Sequence, residues 1–220
     1  MAPDFQAIIF DFDYTLADSS RGIIASVNYA LNELGLPLAG DEAIRQTIGL
    51  SLPDTLVELA GTEQRARSDE FVSLFIERAD QVMVGLTILL DAVPETIECL
   101  KQRDVPLGIV STKFRYRIEA VLSRENLLKE FTVIVGGEDV PEHKPNPQGL
   151  CTAIERLGCA PTHCLYVGDS LTDAETAKRA GVPFVAVLSG VTSRKDFAGY
   201  EVYKILEDVS ELSNVVDGCS

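Results

Sequence analysis

The stretch Ala7-Ile8-Ile9-Phe10-Asp11-Phe12-Asp13-Tyr14-Thr15-Leu16 constrains this chain more than any other. Ala7 to Phe10 form a short, uninterrupted apolar run, the pattern of a strand buried on both faces. The run ends on Asp11, a second carboxylate follows at Asp13, and a hydroxyl follows at Thr15. A carboxylate at the end of a buried strand costs several kcal/mol unless a cation or hydrogen bonds compensate it. Two of them this close repel each other and need a shared partner. A hard divalent cation such as Mg²⁺ meets that need, because it takes oxygen ligands and few protein carboxylates. Capping of a turn by one of the acids is the plainer alternative.

The rest of the chain falls into two patterns. Residues 18–83 read as helical throughout, with Ile23, Ile24, Val27, Leu31 and Leu34 at helical spacing. Asp41 caps a short helix running to Ile48, and Ser51 and Pro53 start another that ends at Gly61. Thr62 starts the longest, with Phe71, Leu74, Phe75 and Val82 as its inward stripe. From Pro94 onward, helices alternate with short apolar strands at Val105–Val110, Thr132–Val135, Cys164–Val167 and Phe184–Val187. That alternation implies an α/β domain, a doubly wound parallel sheet with helices on both faces. The expected division is therefore 1–17 and 84–220 as the α/β core, with 18–83 inserted as an all-helical cap.

Ligands bind beyond the carboxyl ends of the strands in such sheets. Those ends carry Asp11 and Asp13, Ser111 and Thr112, the loop with Lys144, then Asp169 and Asp173. Two acidic clusters, a hydroxyl pair and a lysine outline a site for a metal and a phosphoryl group, whose charge must be neutralised and oriented during transfer. The formal charge of −15 sharpens this reading, because the whole-protein field repels anions and the site must supply its own positive charge. Lys144, held between residues of a proline-rich loop, is the expected source. The same charge argues against nucleic-acid and anionic-membrane partners.

The order Asp-x-Asp-x-Thr, Val-Ser, Lys-Pro-x-Pro and Gly-Asp-x-x-x-Asp resembles the haloacid dehalogenase-like hydrolase superfamily across essentially the whole chain. Within it, the chain is similar to the phosphoglycolate phosphatase-like branch, which carries a helical cap after the first motif. The resemblance implies a Rossmann-like core and a Mg²⁺-dependent phosphatase acting on a small phosphorylated metabolite. It implies Asp11 as a nucleophile that forms an aspartyl-phosphate, and Asp13 as the acid and base. It also implies Mg²⁺ held by Asp11, Asp169 and the Asp13 main-chain carbonyl, with Asp173 in support. Ser111, Thr112 and Lys144 would bind the phosphate, although many relatives carry Asn at the position of Thr112. Arg21, Arg45, Gln46 and the Thr47–Ser51 loop are the cap candidates for substrate contacts. His143 and Asp139 read as loop surface, and Asp18 and Ser19 as hinge or substrate contacts.

The phosphonate-cleaving branch of the superfamily needs a cap lysine for a Schiff base, and with Lys101 the first lysine of the chain the resemblance effectively excludes that activity. Inorganic pyrophosphatase and sugar-phosphate mutase chemistry are the alternatives within the superfamily. From another class, a non-catalytic phosphate-binding or phospho-accepting signalling module shares some of these residues in a different order. The five cysteines (Cys99, Cys151, Cys159, Cys164, Cys219) read as reduced, mostly buried thiols, and no signal peptide or membrane span is evident. A cytoplasmic protein, monomer or homodimer, is expected.

Overall fold

The computed structural model describes residues 5–216. The chain divides into two compact units, one running up to Ala17 and resuming at Leu89, the other Asp18–Ile88. The first is an α/β unit, whose helices include α5 (Val93–Lys101) and α6 (Arg115–Arg124). Its sheet contains β1 (Ala7–Phe10), β4 (Leu107–Val110), β5 (Phe131–Val135), β6 (Cys164–Gly168), β7 (Phe184–Val187) and β8 (Lys204–Leu206). The spatial order is β5-β4-β1-β6-β7-β8, and every pairing is parallel. The fold is thus an α/β doubly wound parallel sheet. The chain builds outward from β1 on one side through β4 and β5, then returns to build the other side from β6. That reversal opens a crevice beyond the carboxyl end of β1.

All four residues of β1 are fully buried, which explains the unbroken apolar run. Burying Ile8, Ile9 and Phe10 contributes about 1.5–3 kcal/mol each. Ala7 and Ile9 pack with Leu150 and Ala153 of α7 (Gln148–Leu157) and with Ala174 and Ala177 of α8 (Leu171–Ala180). Phe10 meets Phe131 of β5 edge to face at 6.5 Å. Helix α8 ends on Gly181 in the left-handed conformation (φ 69°), which spares a side chain the strain of that turn.

The second unit is helical: α1 (Ser20–Glu33), α2 (Asp41–Arg45), α3 (Leu52–Ala60) and α4 (Ser68–Leu86). Its core gathers Val27, Leu31, Ile44, Leu56, Phe71 and Phe75 among others. A side chain on Gly22 would strike Met83 Sδ at 2.8 Å, so α1 and α4 approach closely there. Two strands, β2 (Ala17–Asp18) and β3 (Ile88–Leu89), pair where the chain passes from one unit to the other.

Several elements differ from the sequence reading. The buried stripe of α4 is Phe71, Phe75, Ala79 and Met83, with Leu74 and Val82 only partly covered, because the helix presents a strict i, i+4 row. Thr62–Arg67 is a 3₁₀ segment, and the α-helix proper starts at Ser68. Helix α2 stops at Arg45 rather than Ile48, and Gly40 rather than Asp41 is its N-terminal cap. Strand β8 escaped notice because it is a three-residue edge strand opening with an exposed lysine. The cysteine expectation is corrected as well. Cys159 and Cys164 form a disulfide that ties the end of α7 to the start of β6, Cys99 is half-buried and Cys151 exposed. Cys219 lies outside the described residues.

Candidate active site

Asp11 follows directly on β1, and its N–H donates to the Val167 carbonyl at 2.8 Å, so the sheet hydrogen bonding fixes its backbone. Its side chain is 4 % exposed and lies 2.9 Å from Lys144 Nζ, itself 4 % exposed. Lys144 also donates to Asp173 Oδ1 at 2.6 Å and to the Tyr166 hydroxyl at 3.3 Å. Tyr166 in turn donates to Asp173 Oδ1 at 2.9 Å. Two hydrogen-bond partners, with the Asp11 carboxylate close beside them, leave the lysine little rotational freedom.

Asp173 has two roles. With Ser170 it forms the capping box of α8, accepting from Ser170 N at 3.1 Å while Ser170 Oγ accepts from Asp173 N at 3.1 Å. Its other oxygen takes the proton-rich end of Lys144. Both oxygens are occupied, which makes Asp173 a support for the lysine. A side chain on Gly168 would collide with Asp173 Cγ at 2.6 Å, so that glycine leaves the carboxylate its slot.

Asp169 is buried beyond β6 and accepts from Thr15 Oγ1 at 3.3 Å. Among the described residues, Asp11, Asp169 and Asp173 offer carboxylate oxygens all within 4.8 Å of one another. Three carboxylates against one lysine would, if all were ionised, leave this buried group two negative charges in excess. The protonation equilibria reflect that deficit. Burial, with Asp173 and Asp13 adding to it against the opposing Lys144, pushes Asp11 up from 3.8 to about 6. Burial, then Asp173 and Asp11, hold Asp169 well above the ordinary carboxylate range. Burial opposes the charge of Lys144, yet Asp11 and Asp173 outweigh it and hold the ammonium above its usual value. Asp11 Oδ1, despite the nearby ammonium, receives no well-directed hydrogen bond. Three clustered buried carboxylates, one with an oxygen lacking a donor, suit a divalent oxygen-seeking cation.

Asp13 is turned elsewhere. Its carboxylate is 3.1 and 3.3 Å from Lys113 Nζ and is not among the three clustered acids. The turn after it is tight: Tyr14 adopts φ 60°, its N–H donates to Ala17 O at 2.7 Å, and its carbonyl accepts from Ser189 Oγ at 2.6 Å. A positive φ at a bulky residue is held by such surrounding bonds.

Ser111 follows β4, with its N–H on Val135 O at 3.0 Å. Its Oγ accepts from Lys113 N at 3.3 Å, which leaves the hydroxyl proton to donate outward. Ser111 and Lys144 line one recess together with His143, which is half-buried there rather than on the loop surface. Thr112 is half-buried on the same loop, its carbonyl packed against Gly137 where no side chain fits. Asp139 is a surface acid but a paired one, accepting from Arg115 Nε at 2.9 Å and from Gly136 N at 2.9 Å.

The candidates in the helical unit are partly committed to it. Arg45 Nη1 donates to Ser20 Oγ at 2.5 Å, Gln46 to Glu42 at 2.9 Å, and the Thr47 hydroxyl to Ile44 O at 2.8 Å, while Arg21 is exposed. Asp18 accepts from Ser20 N at 2.8 Å at the start of α1. Lys113 and Tyr166 were missed in the sequence. Lys113 carried a usable signal, since it directly follows the hydroxyl pair in a chain that needs local cations. Tyr166 carried none, being one more large residue in a buried strand.

The model of the haloacid dehalogenase-like hydrolase family matches residues 8–187. The chain belongs to this family. A phosphoglycolate phosphatase from Shigella dysenteriae serotype 1 is 35 % identical over 209 residues, covering 85 % of this chain and 82 % of the relative. One from Xanthomonas campestris is 32 % identical over 185 residues, covering 84 % of each. A solved structure from Bacteroides fragilis, of a haloacid dehalogenase-like hydrolase, superposes with a TM-score of 0.91 at 39 % identity, covering 94 % of this chain and 99 % of that one. The chain is therefore a hydrolase of the haloacid dehalogenase-like family, in its phosphoglycolate phosphatase-like branch.

Proposed function

We propose that this haloacid dehalogenase-like hydrolase is a Mg²⁺-dependent phosphatase that removes the phosphoryl group from a small metabolite of the phosphoglycolate type. The observation that carries the proposal is the buried Asp11, paired to Lys144 in a group of three acids that share one lysine. Asp11 and Asp169, with the Asp13 main-chain carbonyl, would hold Mg²⁺. When bound, the metal would supply charge neutralisation between a carboxylate nucleophile and a phosphate dianion.

Asp11 attacks phosphorus and the bond to the leaving oxygen breaks, giving an aspartyl-phosphate. Asp13 gives its proton to that oxygen, then takes one from the water that hydrolyses the intermediate. Lys144 and the hydroxyls of Ser111 and Thr112 hold the phosphoryl oxygens, where fixed charge and donors favour the transition state. Asp173 and Tyr166 hold Lys144 for this task. In this reading residues 1–17 and 84–220 form the catalytic domain and 18–83 a cap that sets substrate preference. The substrate class is supported by the relatives named phosphoglycolate phosphatase. No helix of the described residues is long and apolar enough to cross a membrane.

Phosphate release from 2-phosphoglycolate, pyrophosphate and a panel of sugar phosphates, with Mg²⁺ and then with EDTA, tests the proposal. Mg²⁺-dependent release that favours phosphoglycolate is the expected result. A clear preference for pyrophosphate, or release that survives EDTA, would contradict it.

A further inference from the structure

Lys113 is a buried lysine that the reaction as described does not use. Its side chain is 4 % exposed, its Nζ sits 3.1 Å from Asp13 Oδ1 and 3.3 Å from Oδ2, and the Asp13 side chain is 10 % exposed. Nζ also lies 5.9 Å from the centre of the Phe12 ring. The topology makes this meeting possible. Strands β1 and β4 are parallel neighbours with Phe10 opposite Ile109, so Asp13 and Lys113 lie just beyond adjacent strand ends.

The loop itself does not depend on the ammonium. The Lys113 N–H donates to Ser111 Oγ at 3.3 Å, and its carbonyl accepts from Gly137 N at 3.0 Å. The side chain is thus free of a structural duty in that turn and is directed at one carboxylate. Buried ion pairs contribute little net stability, and their best-attested use is to fix one arrangement among several. Here two carboxylates two residues apart are drawn to different lysines, Asp11 to Lys144 and Asp13 to Lys113.

We propose that Lys113 is a positioning residue for Asp13: it holds that carboxylate out of the acidic group around Asp11 and on the side where a leaving oxygen departs. The inference rests on the assignment of Asp13 as the proton donor. Without Lys113 the Asp13 side chain has no fixed direction, and proton delivery suffers while phosphoryl binding does not.

The test is the dependence on leaving group, read as kcat/KM for an alkyl phosphate such as 2-phosphoglycolate and for p-nitrophenyl phosphate, with Mg²⁺ present. p-Nitrophenolate departs without a proton, whereas an alkoxide needs one. K113M is expected to lose roughly 10²-fold on the alkyl ester, the lower end of a general acid's contribution, and little on the aryl ester. K113R, which keeps the charge, recovers most of the loss. Adding K113M to D13N costs nothing further if the lysine acts only through Asp13.

Equal losses on both esters in K113M, or a further loss in D13N/K113M below D13N, would overturn the inference. A rise in KM for phosphoglycolate alone would overturn it too, because it would make Lys113 a substrate contact. If K113M fails to fold, the D13N/K113M comparison decides, since it removes both charges of the pair. A biased D13N beside an unbiased K113M sinks the Lys113 inference alone. A D13N enzyme with no bias between the esters removes the acid role, and Lys113 falls with it.

Discussion

Gly190 offers a severe test of the site because it is a glycine for space and not for backbone conformation. It is not among the glycines with positive φ, so alanine can adopt its backbone without strain. A Cβ there would nonetheless lie 2.7 Å from Asp169 Cγ and 3.1 Å from its Cβ, and closer still to Oδ2. Carbon atoms essentially never approach within 3.0 Å in this way, so something must shift. The Asp169 carboxylate or the Ser189–Gly190 loop has to move by about 1 Å, and a displacement of that size at a reacting centre costs on the order of 10²-fold in rate. The loop is not free to retreat, since Ser189 Oγ is bonded to the Tyr14 carbonyl at 2.6 Å. Gly190→Ala is therefore expected to lower turnover by about 10²-fold and to cost only about 1–3 kcal/mol of stability, the usual range for overpacking. The Mg²⁺ concentration needed for half-maximal activity, and the thermal shift that Mg²⁺ produces, measure the effect on the metal group directly. Both should move to higher Mg²⁺. A G190A enzyme with wild-type activity and wild-type Mg²⁺ dependence would refute the role given to Asp169.

Further outcomes follow from the same geometry. Asp11→Asn should abolish phosphate release while circular dichroism shows an intact fold, and appreciable residual turnover would contradict the nucleophile assignment. In metal-free protein, Asp11 is raised from 3.8 to about 6 chiefly by burial, so the folded state holds its proton more tightly than the unfolded chain. Its contribution to stability is then fullest below about pH 4 and is lost as the pH rises through about 6. The difference between wild-type and D11N urea midpoints should show that slope, and stabilisation by Mg²⁺ should grow over the same window, because the cation needs the carboxylate. Leu56→Ala, in the fully buried centre of the helical unit, should cost about 2–5 kcal/mol in urea unfolding.

Much of the α/β unit was legible because buried parallel strands write themselves as short apolar runs, and their ends mark the crevice. Asp11, Asp169 and Lys144 were found in this way, and the structure brings the three together. What escaped depended on distances that a sequence does not carry. The pairing of Asp13 with Lys113 spans 100 residues and arises from the adjacency of β1 and β4. Tyr166 looks like core and becomes polar only because its hydroxyl reaches Asp173 and Lys144. The disulfide joins Cys159 and Cys164 across a loop with no redox-motif spacing. Strand β8 and the two-residue strands β2 and β3 are too short for periodicity to mark.

Acid quenching during turnover of 2-phosphoglycolate with Mg²⁺, followed by peptide mass spectrometry, examines the covalent step itself. The account predicts a phosphoryl group on the peptide that contains Asp11, absent from D11N. Steady turnover with no phosphorylated peptide, or a phosphoryl group found on any other residue, would contradict it.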